Sequence, residues 1–210
     1  MMNTHNVYSQ NVESDLSLNV AAGKVLAIAL FFHIISTMYT YNKGETLEKM
    51  NINNYFDIIH HNFKDYSQYH HLKNLLTLFI FIPLIIYHSP YKLNGVFSDL
   101  LKILPIIIIV RSILTSATIF PSVRKEEIPK THYFLDYFIG DNHDRMFSGH
   151  VSFAILISYL LLKWNYTNSL NLLIIFNLIH AFIIVVTRSH YTIDVLNSAI
   201  ITLLFCKILL

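Results

Sequence analysis

Long apolar runs alternate with short polar stretches along the whole chain. A bilayer core of about 30 Å is crossed by about 20 mostly apolar helical residues. Six runs reach or approach that length: 20–41, 72–88, 97–120, 148–164, 169–187 and 191–210. The period-2 alternation of a membrane barrel is absent, and lipid cannot satisfy the edges of an open sheet. The pattern predicts an all-α polytopic membrane protein, six transmembrane helices in a bundle. Residues 1–19 form a polar N-terminal tail and 20–210 the membrane domain. The first run is longer than the core of a signal peptide and reads as an uncleaved anchor. Pro83 and Pro105 are expected to kink their helices.

Two polar loops are long, 42–71 and 121–147; the connections 89–96, 165–168 and 188–190 are short. Six crossings place both long loops on one side, and the hairpins 89–96 and 165–168 with both termini on the other. Composition agrees: 54% of residues are hydrophobic and 13% charged, where soluble domains carry about 25% charged residues. A net charge of +2 is too small to argue for nucleic acid. The single cysteine, Cys206, excludes an internal disulfide and a cysteine-based zinc site.

Two polar motifs stand at the edges of apolar runs. GDNHDRMFSGH (140–150) opens the fourth, and TRSHYTIDV (187–195) opens the sixth. Two crossings separate His150 from His190, so both sit at the same face of the bilayer. His190 and Asp194 are spaced i, i+4 and share one helix face. A carboxylate there can fix the imidazole tautomer and leave the other ring nitrogen nucleophilic. His150 opposite can act as general acid and then as base. Ser148 and Gly149 offer helix-start N–H groups to an anion, and Arg111, Arg145 and Arg188 are candidate phosphate clamps. Arg111 interrupts an otherwise apolar run, where a charge marks function. His60, His61, His70 and His71 read as solvated loop residues, with metal binding the alternative, and His33 and His180 as partners in interhelical hydrogen bonds.

DRMFSGH (144–150) and RSHYTIDV (188–195) together resemble the type 2 phosphatidic acid phosphatase superfamily, and more closely its sphingomyelin synthase branch. RSILTSATIFP (111–121) is similar to that branch's third span. The phosphatases of the superfamily show K-x6-RP and five residues between arginine and the second histidine. Here Lys102 and Arg111 are spaced differently, Ser112 follows the arginine, and only Ser189 separates Arg188 from His190. The resemblance implies a ceramide cholinephosphotransferase type of enzyme: His150, His190 and Asp194 catalytic, Asp144 and Tyr191 supporting. It implies a phospholipid donor such as phosphatidylcholine, a ceramide or diacylglycerol acceptor, and no cofactor or metal. Hydrolysis of a lipid phosphomonoester and head-group exchange with diacylglycerol are the alternatives, and homo-oligomerisation is left open. The resemblance also implies a multi-pass protein of the Golgi, endoplasmic reticulum or plasma membrane, with the site facing the lumen or exterior.

Overall fold

The computed structural model describes residues 4–49, 56–87, 89–119 and 146–210, and every regular element among them is helical. The first helix, α1 (Thr4–Lys49), runs 46 residues without a break. It takes in most of the polar tail as well as the first apolar run, because no proline interrupts its internal hydrogen bonds. A short helix, α2 (Ile58–Asn62), and a tight turn at Ser67–Tyr69 follow.

The second apolar run divides into α3 (His71–Phe79) and α4 (Ile82–Ile86). Pro83 has no N–H to offer Phe79 and its ring crowds the preceding turn, so the helix ends and restarts. Pro105 behaves differently. It lies within α5 (Pro90–Ala117), a continuous helix of 28 residues. Its neighbours Ile103 and Ile107 are buried in the core, and that packing outweighs one lost backbone bond. Because α5 starts on Pro90, suited to a first helical turn, most of the connection expected at 89–96 is helical.

The C-terminal half holds α6 (Gly149–Lys163), α7 (Leu170–Val186) and α8 (Thr192–Leu209). Four stretches are long and apolar enough to cross a membrane: Val20–Gly44, Ser67–Ile86, Pro90–Ala117 and Thr192–Leu209. The helices α6 and α7 have 15 and 17 residues, roughly 22 and 25 Å at 1.5 Å per residue. The expectation of six full-length spans thus holds for four. For α6 the reason is its place at the centre: it packs against α3, α5, α7 and α8, and Ala154, Leu156, Ile157, Leu160 and Leu161 are buried. A helix enclosed by protein need not match the bilayer. By contrast, α7 leaves Leu172, Ile175 and Leu178 exposed as an outer apolar face.

Contacts fix the direction of each helix. His33 of α1 meets Arg111 at 3.4 Å and, one turn later, Ser36 meets the Ser116 hydroxyl at 2.7 Å, which runs α1 parallel to α5. The Tyr66 N–H donates to the Val186 carbonyl and His180 reaches back to Lys73, so α3 and α7 are antiparallel. Consequently α1, α5 and α7 end, and α3, α6 and α8 begin, at one end of the bundle. At the other end the Trp164 ring sits against Gly95, leaving no room for a Cβ. Its indole N–H donates to Asp99 at 3.0 Å, and Lys163 pairs with the same carboxylate at 2.9 Å.

Candidate active site

The turn between α7 and α8 reverses the chain through Arg188, whose φ is +55°. Left-handed backbone costs a non-glycine residue about 1–2 kcal/mol, so neighbouring contacts must hold it. They do: Nη2 of Arg188 donates to the carbonyls of His60 (2.8 Å) and Phe63 (3.0 Å), and Nε lies 3.9 Å from the Asp65 carboxylate. Immediately after the turn stands His190, 7% exposed, with Nδ1 3.4 Å from Oδ2 of the fully buried Asp194. The i, i+4 spacing brings them together on the first turn of α8. The same Oδ2 accepts the Tyr191 N–H at 2.9 Å, half of a capping box. Asp194 therefore serves the helix start and the imidazole at once.

The start of α6 is locked to this turn. Ser148 is its N-cap, accepting from the Val151 N–H at 3.5 Å. The Ser148 N–H donates to the Ser198 hydroxyl, which donates in turn to the Asp194 carbonyl, both at 2.6 Å. A single hydroxyl thus ties the serine of the first motif to the aspartate of the second. Over Gly149 lies the Arg111 guanidinium: a Cβ at Gly149 would stand 3.1 Å from Nη1. Glycine lets the cation approach the helix N-terminus, where an anion would also meet free N–H groups. Nη1 of Arg111 also donates to Nε2 of the buried His33 at 3.4 Å. His150 donates from Nε2 to Oδ1 of Asn74, at 2.9 Å, and lies within electrostatic reach of Lys73, Arg111 and His180.

Of the residues singled out by sequence, His150, His190, Asp194, Ser148, Gly149 and Arg111 come together at one end of the bundle. Tyr191 is buried there with its ring 5.4 Å from that of His60. Arg188 stands at the same turn but faces the first loop. Asp144 and Arg145 lie outside the described residues. Sequence reasoning passed over Asn74, Ser198 and Asp57, and read His60 as solvated. Instead His60 is half-buried against Val185, to whose carbonyl Nε2 donates at 3.1 Å. Burial lowers its pKa, and the Asp57 charge only partly offsets this. Burial would raise the pKa of Asp57, but the N–H groups of His60 and Thr192 bring it below the ordinary carboxylate value. Among the described residues no group of three His, Cys, Asp or Glu side chains is arranged to hold a metal ion. His33 and His180 do make interhelical contacts, His180 to Thr77 and the Lys73 carbonyl.

Residues 143–209 match the family described as PAP2 superfamily C-terminal. The match takes in α6, α7 and α8 with both histidine motifs, and supports the type 2 phosphatidic acid phosphatase superfamily. Comparison with curated proteins and with solved structures returns no match. This match at the site suggests lipid phosphatase or phosphotransferase activity on substrates in the bilayer.

Proposed function

We propose that the protein transfers a phospholipid head group, phosphocholine or a similar group, to ceramide through a phosphohistidine on His190. One observation carries the reading: the Ser148–Ser198–Asp194 chain holds the starts of α6 and α8 together, with Arg111 over Gly149 at the start of α6. Asp194 faces Nδ1 of His190, which leaves Nε2 to attack phosphorus. A nitrogen–phosphorus bond forms as the bond to the diacylglycerol oxygen breaks, and His150 gives that oxygen its proton. An acceptor hydroxyl then attacks phosphorus, the nitrogen–phosphorus bond breaks, and His150 takes the hydroxyl proton. Arg111 and the N–H groups at the start of α6 balance the charge on the phosphate. The single residue between Arg188 and His190 favours the synthase branch over the phosphatases. The six-crossing topology and a lumenal or exterior site belong to this same proposal.

The test uses purified protein in nanodiscs with phosphatidylcholine and a fluorescent ceramide. A choline-bearing ceramide product is expected. His190→Ala and His150→Ala should abolish it. Asp194→Asn can retain the Tyr191 cap but removes the charge beside His190, and should lower turnover about a hundredfold. Release of phosphate from phosphatidic acid, with no ceramide product, would assign hydrolysis instead. Normal transfer by His190→Ala would end the phosphohistidine mechanism.

A further inference from the structure

The first loop makes contacts on both sides of the turn that carries His190. Asp57 takes four donors on one carboxylate. Oδ1 accepts from the N–H groups of Ile59 (3.1 Å) and His60 (3.0 Å) and from the Thr192 hydroxyl (2.9 Å). Oδ2 accepts the Thr192 N–H at 2.6 Å. Asp57 is therefore the N-cap of α2 and at the same time caps α8 from a distant part of the chain. Tyr191, at the N-cap position of α8, is not among the short polar residues that usually do this. A carboxylate also suits the positive end of the α8 dipole.

The same loop grips the end of α7. Nε2 of His60 donates to the Val185 carbonyl, the Tyr66 N–H donates to the Val186 carbonyl, and Phe63 packs edge-on against Phe182 at 5.2 Å. From the other direction Arg188 donates to the carbonyls of His60 and Phe63. Both flanks of the turn are thus fastened to one segment, and the left-handed Arg188 between them is stabilised by it.

We infer that residues 57–66 form a clasp that sets the position of His190, with Asp57 as its positioning residue. Thr192 lies two residues after His190 and two before Asp194. A shift of Thr192 would change the His190–Asp194 geometry directly. The inference rests on the assignment of His190 as nucleophile. It extends that assignment by making turnover depend on a loop outside the region matched by the PAP2 family.

The two oxygens of Asp57 separate the roles. Asp57→Asn keeps a carbonyl oxygen for α2 and the Thr192 hydroxyl, but turns an NH2 group toward the Thr192 N–H. The loop should keep its fold while its tie to the α8 backbone N–H is lost. Measured in full-length protein in nanodiscs with phosphatidylcholine and fluorescent ceramide, Asp57→Asn should lower kcat about tenfold. KM should stay within about threefold, with only a small fall in the thermal midpoint from the unsatisfied Thr192 N–H. Thr192→Val removes one contact to the same carboxylate and keeps the N–H; its kcat should fall about threefold, again at constant KM. Both variants at wild-type kcat, with His190→Ala inactive, would overturn the clasp and leave the phosphohistidine reading standing. A rise in KM at constant kcat would also overturn it, because Asp57 would then act on substrate binding. His190→Ala as active as wild type would overturn the underlying reading and the clasp with it.

Discussion

Gly149 shows how one residue can matter through what it lacks. The nearest atoms to a Cβ built there belong to the Arg111 guanidinium, at 3.1 Å to Nη1 and 3.4 Å to Cζ. Gly149→Ala should push the guanidinium back from the helix start by a few tenths of an ångström without filling any cavity. The expected result is a loss of about tenfold or more in kcat/KM, corresponding to one weakened charge-assisted contact, with a thermal midpoint close to wild type. Head-group transfer assays beside thermal denaturation check both halves of that statement. Asn74 acts on the same scale. Its Oδ1 accepts from Nε2 of His150, so in the proposed mechanism Nδ1 of that ring is the nitrogen that would transfer the proton.

Between elements, the decisive joint is the Ser198 hydroxyl linking α8 to the start of α6. Ser198→Ala would leave the Ser148 N–H buried without its acceptor, and a buried unsatisfied donor costs about 1–3 kcal/mol. The variant should be destabilised by that amount in reversible thermal or denaturant titration. Turnover should fall too, since the two histidine-bearing helices would no longer be held at this point. The opposite end of the bundle has its own joint, with Trp164 seated on Gly95 and bound to Asp99. That joint is remote from the chemistry and fixes only how α5 meets α6.

Across the whole molecule, acid should act first on the clasp. His60 titrates below its ordinary 6.5 because burial disfavours the cation. The unfolded state therefore binds the proton more readily, and the folded state loses stability as pH falls below 6.5. The groups around His60 are the Asp57 and Asp65 carboxylates, the Arg188 guanidinium, the Tyr191 ring and the backbone of Val185 and His190. Asp57 titrates below 3.8, so its contribution is present above that pH and is lost only as pH falls through the lower folded value. Between pH 7 and 5, hydrogen exchange at residues 57–66 should accelerate while α6 stays protected; His60→Gln should flatten the change. The sidedness of the bundle gives a second test. His61 and Asn168 are exposed near opposite ends, and Cys206 is buried. An impermeant thiol reagent applied to sealed vesicles should label His61→Cys and Asn168→Cys from opposite faces.

What the sequence determined by itself was local. The apolar runs announced helices, Pro83 announced a disturbed helix though not its break, and the i, i+4 spacing of His190 and Asp194 put them on one turn. These follow from backbone geometry and side-chain polarity within a few residues. The fate of Pro105 was decided elsewhere, by packing around Ile103 and Ile107. So was the difference between α6 and α7: lipid and protein core are equally apolar, so the two runs read alike until their neighbours are known. Arg111 over Gly149, Ser198 beneath Ser148, and Asp57 at the start of α8 each join residues far apart in the chain. Periodicity carries no record of such pairings. They exist because tertiary packing brings polar groups from separate helices into a dry interior, where each must find a partner.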